Sequence, residues 1–125
     1  MNPILICLLV TLAVFGLAVA LGFKLGRSPK PYPKVLLISH MAMFFLITYG
    51  IGECLTRMQG ATANPSAVKV ALLVALGSLW ASLVSGIVML CLKQKHRGWI
   101  QVHKLTMFLA ALAFVAAGVL LVTKG

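Results

Sequence analysis

The chain has 125 residues, of which 62% are hydrophobic, and its one acidic residue is outnumbered by 11 lysines and arginines, giving a net charge of +10. Soluble globular domains are about half apolar and about a quarter charged. This composition excludes a soluble domain and indicates an integral membrane protein. Nucleic-acid binding is not indicated, because the sequence has neither a known binding motif nor a basic face with stacking aromatic residues.

Hydropathy predicts four membrane spans, at about 4–23, 35–55, 67–92 and 99–122. They are separated by the segments KLGRSPKPYPK, TRMQGATANPS and KQKHRG, which are polar or rich in proline. We therefore predict an all-α protein, a four-helix up-down-up-down bundle that forms a single transmembrane domain over residues 1–125. No internal repeat or low-complexity segment is visible in the sequence.

The first span is predicted to be a retained helix and not a cleaved signal peptide. Ala18-Val19-Ala20 resembles a small-residue cleavage site. However, no basic residue precedes the apolar stretch, and the cations follow it, which is the pattern of a helix inserted with its amino terminus outward.

The distribution of positive charge predicts the orientation in the membrane. Eight cations lie in or beside the first and third connecting segments: Lys24, Arg27, Lys30, Lys34, Lys93, Lys95, Arg97 and Lys104. Only Arg57, Lys69 and Lys124 lie toward the other face. Because cytoplasmic loops are enriched in lysine and arginine, we expect these two segments to be cytoplasmic and both termini to be on the non-cytoplasmic side. The basic face would contact the lipid bilayer surface.

Two histidines lie within the predicted spans, His40 near the start of the second and His103 near the start of the fourth. Ionisable residues inside a membrane are costly and commonly functional. At 1.5 Å per residue both lie roughly 6 to 8 Å below the cytoplasmic end of their spans. The second and fourth helices of such a bundle occupy diagonal corners, so the imidazoles can clamp a flat metal macrocycle such as haem from both sides. The alternative is that each is hydrogen-bonded to a carbonyl or serine of a neighbouring helix.

Small residues recur in the other spans at this depth and would leave room for a cofactor. They include Gly22 in the first span and Ser82, Ser85 and Gly86 in the third. We expect Gly86 to line the cofactor. The alternative is that such rows only permit close helix packing.

The propionates of a bound haem would point to the cytoplasmic face and meet its cations. The candidates for charge-assisted hydrogen bonds are Lys34, Lys93, Lys95, His96, Arg97 and Lys104. His96 could also exchange a proton with a bound quinol, because imidazole titrates in the physiological range. Alternatively, His96 is a solvated loop residue.

The remaining reactive residues are interpreted as structural. Glu53 precedes Arg57 by four residues, which favours an ion pair on one helix face; the alternative makes Glu53 a proton acceptor in a small transporter. Cys7, Cys54 and Cys91 are widely spaced and form no metal or haem-attachment motif. We expect these cysteines to be small apolar fillers of the helices.

With these features the chain resembles the four-helix b-type cytochromes, such as cytochrome b561 and the haem b membrane subunits of quinone-linked oxidoreductases. The segments that carry the resemblance are SHMAMFFLITYG with His40 and HRGWIQVHKLTMF with His96 and His103. It implies noncovalent haem b, electron exchange with quinones, a partner subunit with another redox centre, and a bacterial-type inner or other energy-transducing membrane. Two-haem members use four membrane histidines, whereas this chain has two, so one haem is expected.

We therefore expect a membrane electron-transfer or anchor subunit, not a complete enzyme, with His40 and His103 as axial ligands. It would exchange electrons between quinone and other subunits of a redox complex. Two alternatives are a subunit binding a chlorophyll-type pigment, for which one histidine per magnesium suffices, and a cofactor-free proton-coupled transporter or assembly subunit.

Overall fold

The computed structural model describes residues 3–29, 32–58, 65–92 and 97–124. They form four α-helices: α1 (Pro3–Arg27), α2 (Lys34–Arg57), α3 (Pro65–Cys91) and α4 (Arg97–Lys124). Each helix is long and apolar enough to cross a membrane. The predictions of an all-helical chain and of four candidate membrane helices are therefore confirmed.

The helices extend beyond the predicted spans at their basic ends. The first continues past Phe23 to Arg27, and the fourth begins at Arg97, before Trp99. A span predicted from hydropathy ends at the first charged residues. The helix itself continues, because backbone hydrogen bonding does not depend on side-chain polarity. Lys24 and Arg27 also lie in the last turn of α1, where the helix dipole favours positive charge.

The helices pack as two close pairs, α1 with α2 and α3 with α4. Contacts between the pairs are sparser and join α2 to α3 and α1 to α4. Phe44 and Trp80 meet at the first of these seams with ring centres 5.1 Å apart, and Phe15 and Phe114 meet at the second at 5.5 Å. In the described part of the chain, α2 does not pack against α4. These two helices therefore lie on one diagonal of the bundle.

The two helix pairs repeat the same burial pattern. Residues buried in α3 lie 64 positions after those buried in α1 (68 minus 4): Ile4, Leu8, Thr11, Phe15 and Ala18 correspond to Val68, Leu72, Ala75, Leu79 and Ser82. Residues buried in α4 lie 63 positions after those in α2 (110 minus 47): Ile47, Ile51, Cys54 and Met58 correspond to Ala110, Phe114, Ala117 and Leu121. The two helix pairs therefore correspond in their burial, a correspondence that is not visible in the sequence alone.

Among the few identical residues of the repeat are both membrane histidines. His40 and His103 are equivalent, and each is followed five residues later by Phe-Leu. Gly22 and Gly86 are equivalent in α1 and α3. Most other equivalent positions exchange one apolar residue for another, which preserves the packing and obscures the repeat in the sequence.

The tightly packed core occupies only part of the bundle. Among the described residues, the buried side chains of α1 and α3 end at Ala18 and Ser85, with Leu25 as the one exception. Those of α2 and α4 begin at Phe44 and Ala110. The end at which α2 and α4 begin is therefore more loosely packed than the opposite end. Around the whole bundle, large apolar side chains face outward, as expected of a surface that contacts lipid.

Candidate functional site

His40 and His103 lie at matching positions of α2 and α4, each six residues after the first residue of its helix (40 minus 34 and 103 minus 97). This places both imidazoles about 9 Å along their helices. Their ring centres are 6.4 Å apart, and the ring planes are inclined by 57°. Two helices on a diagonal of the bundle thus bring their imidazoles close together.

A glycine on the adjacent helix makes room for each ring. A Cβ atom at Gly22 would lie 3.0 Å from Cε1 of His40, and one at Gly86 would lie 3.5 Å from Cε1 of His103. The equivalent glycines therefore face the equivalent histidines. Gly86, which was predicted to line the cofactor, thus faces the imidazole of His103.

Hydrogen bonds orient the ring of His103. Its Nδ1 atom lies 2.9 Å from the carbonyl oxygen of Ser82, 3.2 Å from Ser82 Oγ and 3.1 Å from Ser85 Oγ. Because a carbonyl only accepts, Nδ1 carries the proton and donates it, which leaves Nε2 as the nitrogen with a free lone pair. Ser85 Oγ also donates to the Ser82 carbonyl at 2.8 Å, which further fixes this group of atoms.

The ring of His40 is held differently. Its Nδ1 atom is buried and has no hydrogen-bond partner among the described residues. The backbone of Ala18 interacts with it electrostatically but does not meet hydrogen-bond geometry. In the repeat, Ala18 is equivalent to Ser82 and Leu21 to Ser85. The first helix pair therefore lacks both hydroxyl groups that surround His103.

The cations proposed for the propionates do not form one described cluster with the histidines. Lys34, Arg97 and Lys104 are exposed, the first two at the starts of α2 and α4. Lys104 directly follows His103, so its side chain leaves the helix about 100° further around the axis. His96 lies outside the described residues, as do Lys93 and Lys95.

Glu53 and the cysteines, which were interpreted as structural, make different kinds of contact. Arg57 Nε lies 3.4 Å from Glu53 Oε2, which confirms the predicted ion pair at the other end of the bundle. All three cysteines are free. However, Cys7 and Cys54 are in direct contact, with their sulfur atoms 3.1 Å apart.

Two contacts at these sites bear on what the sequence predicted. His103 has the arrangement given above as the alternative, a histidine hydrogen-bonded to a carbonyl and to serines of a neighbouring helix, although Ser82 and Ser85 were singled out only as small residues. The cysteines were interpreted as separate residues. The available signal was position, because Cys7 and Cys54 are about equally far from the segment that connects α1 to α2.

Among the described residues, no three histidine, cysteine, aspartate or glutamate side chains form a cluster that could hold a metal ion. Among the described residues of these four types, a metal ion at the imidazoles would therefore have His40 and His103 as its ligands. The sequence matches no protein-family model, no curated protein and no solved structure.

Proposed function

We propose that this chain is a membrane electron-transfer subunit that binds one haem b through His40 and His103. The observation that carries this proposal is the 6.4 Å separation of two imidazoles from equivalent positions of the two helix pairs. Two bonds of about 2 Å from ring nitrogens to one metal ion, with roughly 1 Å from each nitrogen to its ring centre, place the ring centres about 6 Å apart. The separation thus suits two axial ligands of one iron.

The hydrogen bonding of His103 supports a ligand role. Metal-binding histidines commonly donate their second ring N–H to a backbone carbonyl, which fixes the tautomer and the ring orientation. The Ser82 carbonyl occupies this position at 2.9 Å from Nδ1. His103 would then bind iron through Nε2.

The position of His40 is compatible with the same role. The backbone of Ala18, which the repeat places where Ser82 lies in the second pair, interacts with His40, although Nδ1 has no partner within hydrogen-bond geometry among the described residues. His40 would then also bind iron through Nε2.

Space at the histidines also favours a cofactor. The buried core ends near their level, and the glycines Gly22 and Gly86 face the two rings. The two helix pairs contact each other sparsely, so a flat macrocycle can enter between them with less disruption than within either pair.

In this proposal the bundle is up-down-up-down, with both termini on the non-cytoplasmic side of an inner or other energy-transducing membrane. Early residues of α1 meet late residues of α2, as Cys7 and Cys54 show, which is the contact pattern of antiparallel neighbours. The propionates would then meet Lys34, His96, Arg97 and Lys104 at the cytoplasmic face. Bound haem supplies one-electron transfer, and quinone and a partner redox subunit are the proposed electron donors or acceptors.

The two alternatives have less support. A chlorophyll-type pigment needs one histidine per magnesium, so it does not explain why two equivalent imidazoles meet. For a proton-coupled transporter, the carboxylate of Glu53 is partly exposed at 35% and paired with Arg57, not held deep in the bundle.

Absorption spectroscopy of purified variants tests the proposal. Protein expressed with ample haem is expected to show the reduced-minus-oxidised spectrum of bis-imidazole haem b, and His40→Ala and His103→Ala are each expected to lose it. Thr48→Ala is the matched control, because it removes a polar group from α2 and its repeat equivalent is Ala111. A colourless wild-type protein would overturn the proposal, and a red or near-infrared band would instead indicate pigment.

A further inference from the structure

Two thiols form a pair near the end of the bundle opposite the histidines. Cys54 Sγ donates to Cys7 Sγ at 3.1 Å. Cys54 is fully buried and Cys7 is half-buried. Cys54 lies 14 residues after His40 on α2 (54 minus 40), which is about 21 Å along the helix axis. The thiol pair is therefore separate from the proposed haem site.

A close approach of the two helices brings these thiols together. Gly50 faces Thr11, and a Cβ atom at Gly50 would overlap the Thr11 side chain. Thr11 Oγ1 donates to the Cys7 carbonyl at 2.8 Å, and Cys7 Sγ donates to the Gly50 carbonyl at 3.6 Å. Cys7 and Thr11 are one helical turn apart on α1. They face Cys54 and Gly50, respectively, which are one turn apart on α2.

The repeat indicates that packing does not require thiols at these positions. The equivalents of Cys7, Thr11, Gly50 and Cys54 in the second helix pair are all alanine: Ala71, Ala75, Ala113 and Ala117. Ala75 and Ala117 are fully buried there, so the same helix contact is made without sulfur. The contacting thiols are a feature of the first pair alone.

We propose that Cys7 and Cys54 are a redox-active dithiol that a lipid-soluble quinone oxidises to a disulfide. The two S–H bonds break and one S–S bond forms, while the quinone accepts both protons and both electrons and leaves as quinol. The sulfur atoms must approach by about 1 Å to reach the disulfide bond length. The product is a covalent link between α1 and α2.

The position of the pair favours an uncharged, lipid-soluble oxidant. Cys7 is four residues from the start of α1 and Cys54 is three residues from the end of α2 (7 minus 3 and 57 minus 54), roughly one helical turn inside the apolar segment. Charged oxidants cross such a segment poorly, because burying an ion in hydrocarbon is costly. A quinone dissolved in the bilayer reaches this depth without that cost and carries two electrons with two protons.

The test uses the full-length protein in lipid nanodiscs with Cys91→Ala, which removes the exposed third thiol. Treatment with a short-chain benzoquinone, followed by denaturation and alkylation, is expected to leave neither thiol alkylated until a reductant is added. Cys7→Ala and Cys54→Ala in the same background are expected to keep their single thiol alkylatable. The double alanine variant is expected to fold, because alanine occupies both equivalent positions.

Alkylation of both thiols after quinone treatment would overturn the proposal. Oxidation by the thiol oxidant diamide but not by the quinone would overturn it as well, because the pair would then form a disulfide without accepting this class of oxidant. A reductant-resistant quinone adduct in place of the disulfide would also contradict it. The assay is repeated in His40→Ala/His103→Ala protein, so that its outcome is independent of haem binding.

Discussion

Replacing Gly22 with alanine tests whether the position of His40 depends on the glycine that faces it. The added Cβ would lie 3.0 Å from Cε1 of His40 and 3.7 Å from both ring nitrogens. Carbon atoms in good contact are about 3.5 to 4.0 Å apart. The ring must therefore move by several tenths of an ångström, and overpacking of this kind typically costs about 1 to 3 kcal/mol.

Gly86→Ala is the matched control, because the repeat places Gly86 at the equivalent position. Its added Cβ would lie 3.5 Å from Cε1 of His103, which is an ordinary van der Waals distance. No ring displacement is required. Replacing a helical glycine with alanine can instead favour the helix by up to about 1 kcal/mol.

Haem titration of the two purified variants distinguishes these effects. If the cost is borne by the haem-bound state, Gly22→Ala is expected to raise the Kd roughly five-fold to a hundred-fold. Gly86→Ala is expected to leave the Kd within about two-fold. Thermal unfolding of the haem-free proteins separates a change in affinity from a loss of folding. Equal weakening by both substitutions, or by neither, would refute the argument that Gly22 sets the position of His40.

Three further sets of substitutions test other parts of the account. His40→Ala is expected to retain haem on His103 as a high-spin species, while His103→Ala loses it, because only His103 has serine hydroxyls that fix its ring. Equal retention in optical spectra would contradict this. Gly50→Ala is expected to lower the free energy of unfolding by about 1 to 3 kcal/mol. Adding Thr11→Ala is expected to restore it, because the double variant has the alanines of the second helix pair. If chemical unfolding shows no such rescue, the overlap of Gly50 with Thr11 is contradicted. Glu53→Gln breaks a partly exposed ion pair and is expected to change stability by less than about 1 kcal/mol, with an unaltered haem spectrum; loss of the spectrum would assign Glu53 a larger role.

The fold was predictable because its main determinants are local. Long apolar runs separated by prolines and charges indicate four membrane helices. Their predicted ends differ from the observed ones by up to four residues, most at Arg27, where α1 continues through Lys24 beyond the apolar run. The depth of His40 and His103 could likewise be read from their distance to the span ends.

Contacts between helices were less predictable, because many sequences of apolar residues pack equally well. The repeat is visible mainly in which positions are buried, since Phe15 and Leu79, or Ile51 and Phe114, occupy equivalent places although the residues differ. The difference between the histidines depends largely on the Ser82 and Ser85 hydroxyls, which contact His103 and have no counterpart beside His40. Such a contact follows from the rotation of α3 relative to α4, which hydropathy does not encode.

The central claim is that one iron is held by both membrane histidines. Electron paramagnetic resonance of the oxidised, haem-loaded full-length protein tests it most directly. We predict a low-spin ferric signal of bis-imidazole coordination from a single haem per chain, converted to high-spin in His40→Ala. A purely high-spin signal in the wild-type protein, or a low-spin signal unchanged in His40→Ala, would contradict the claim.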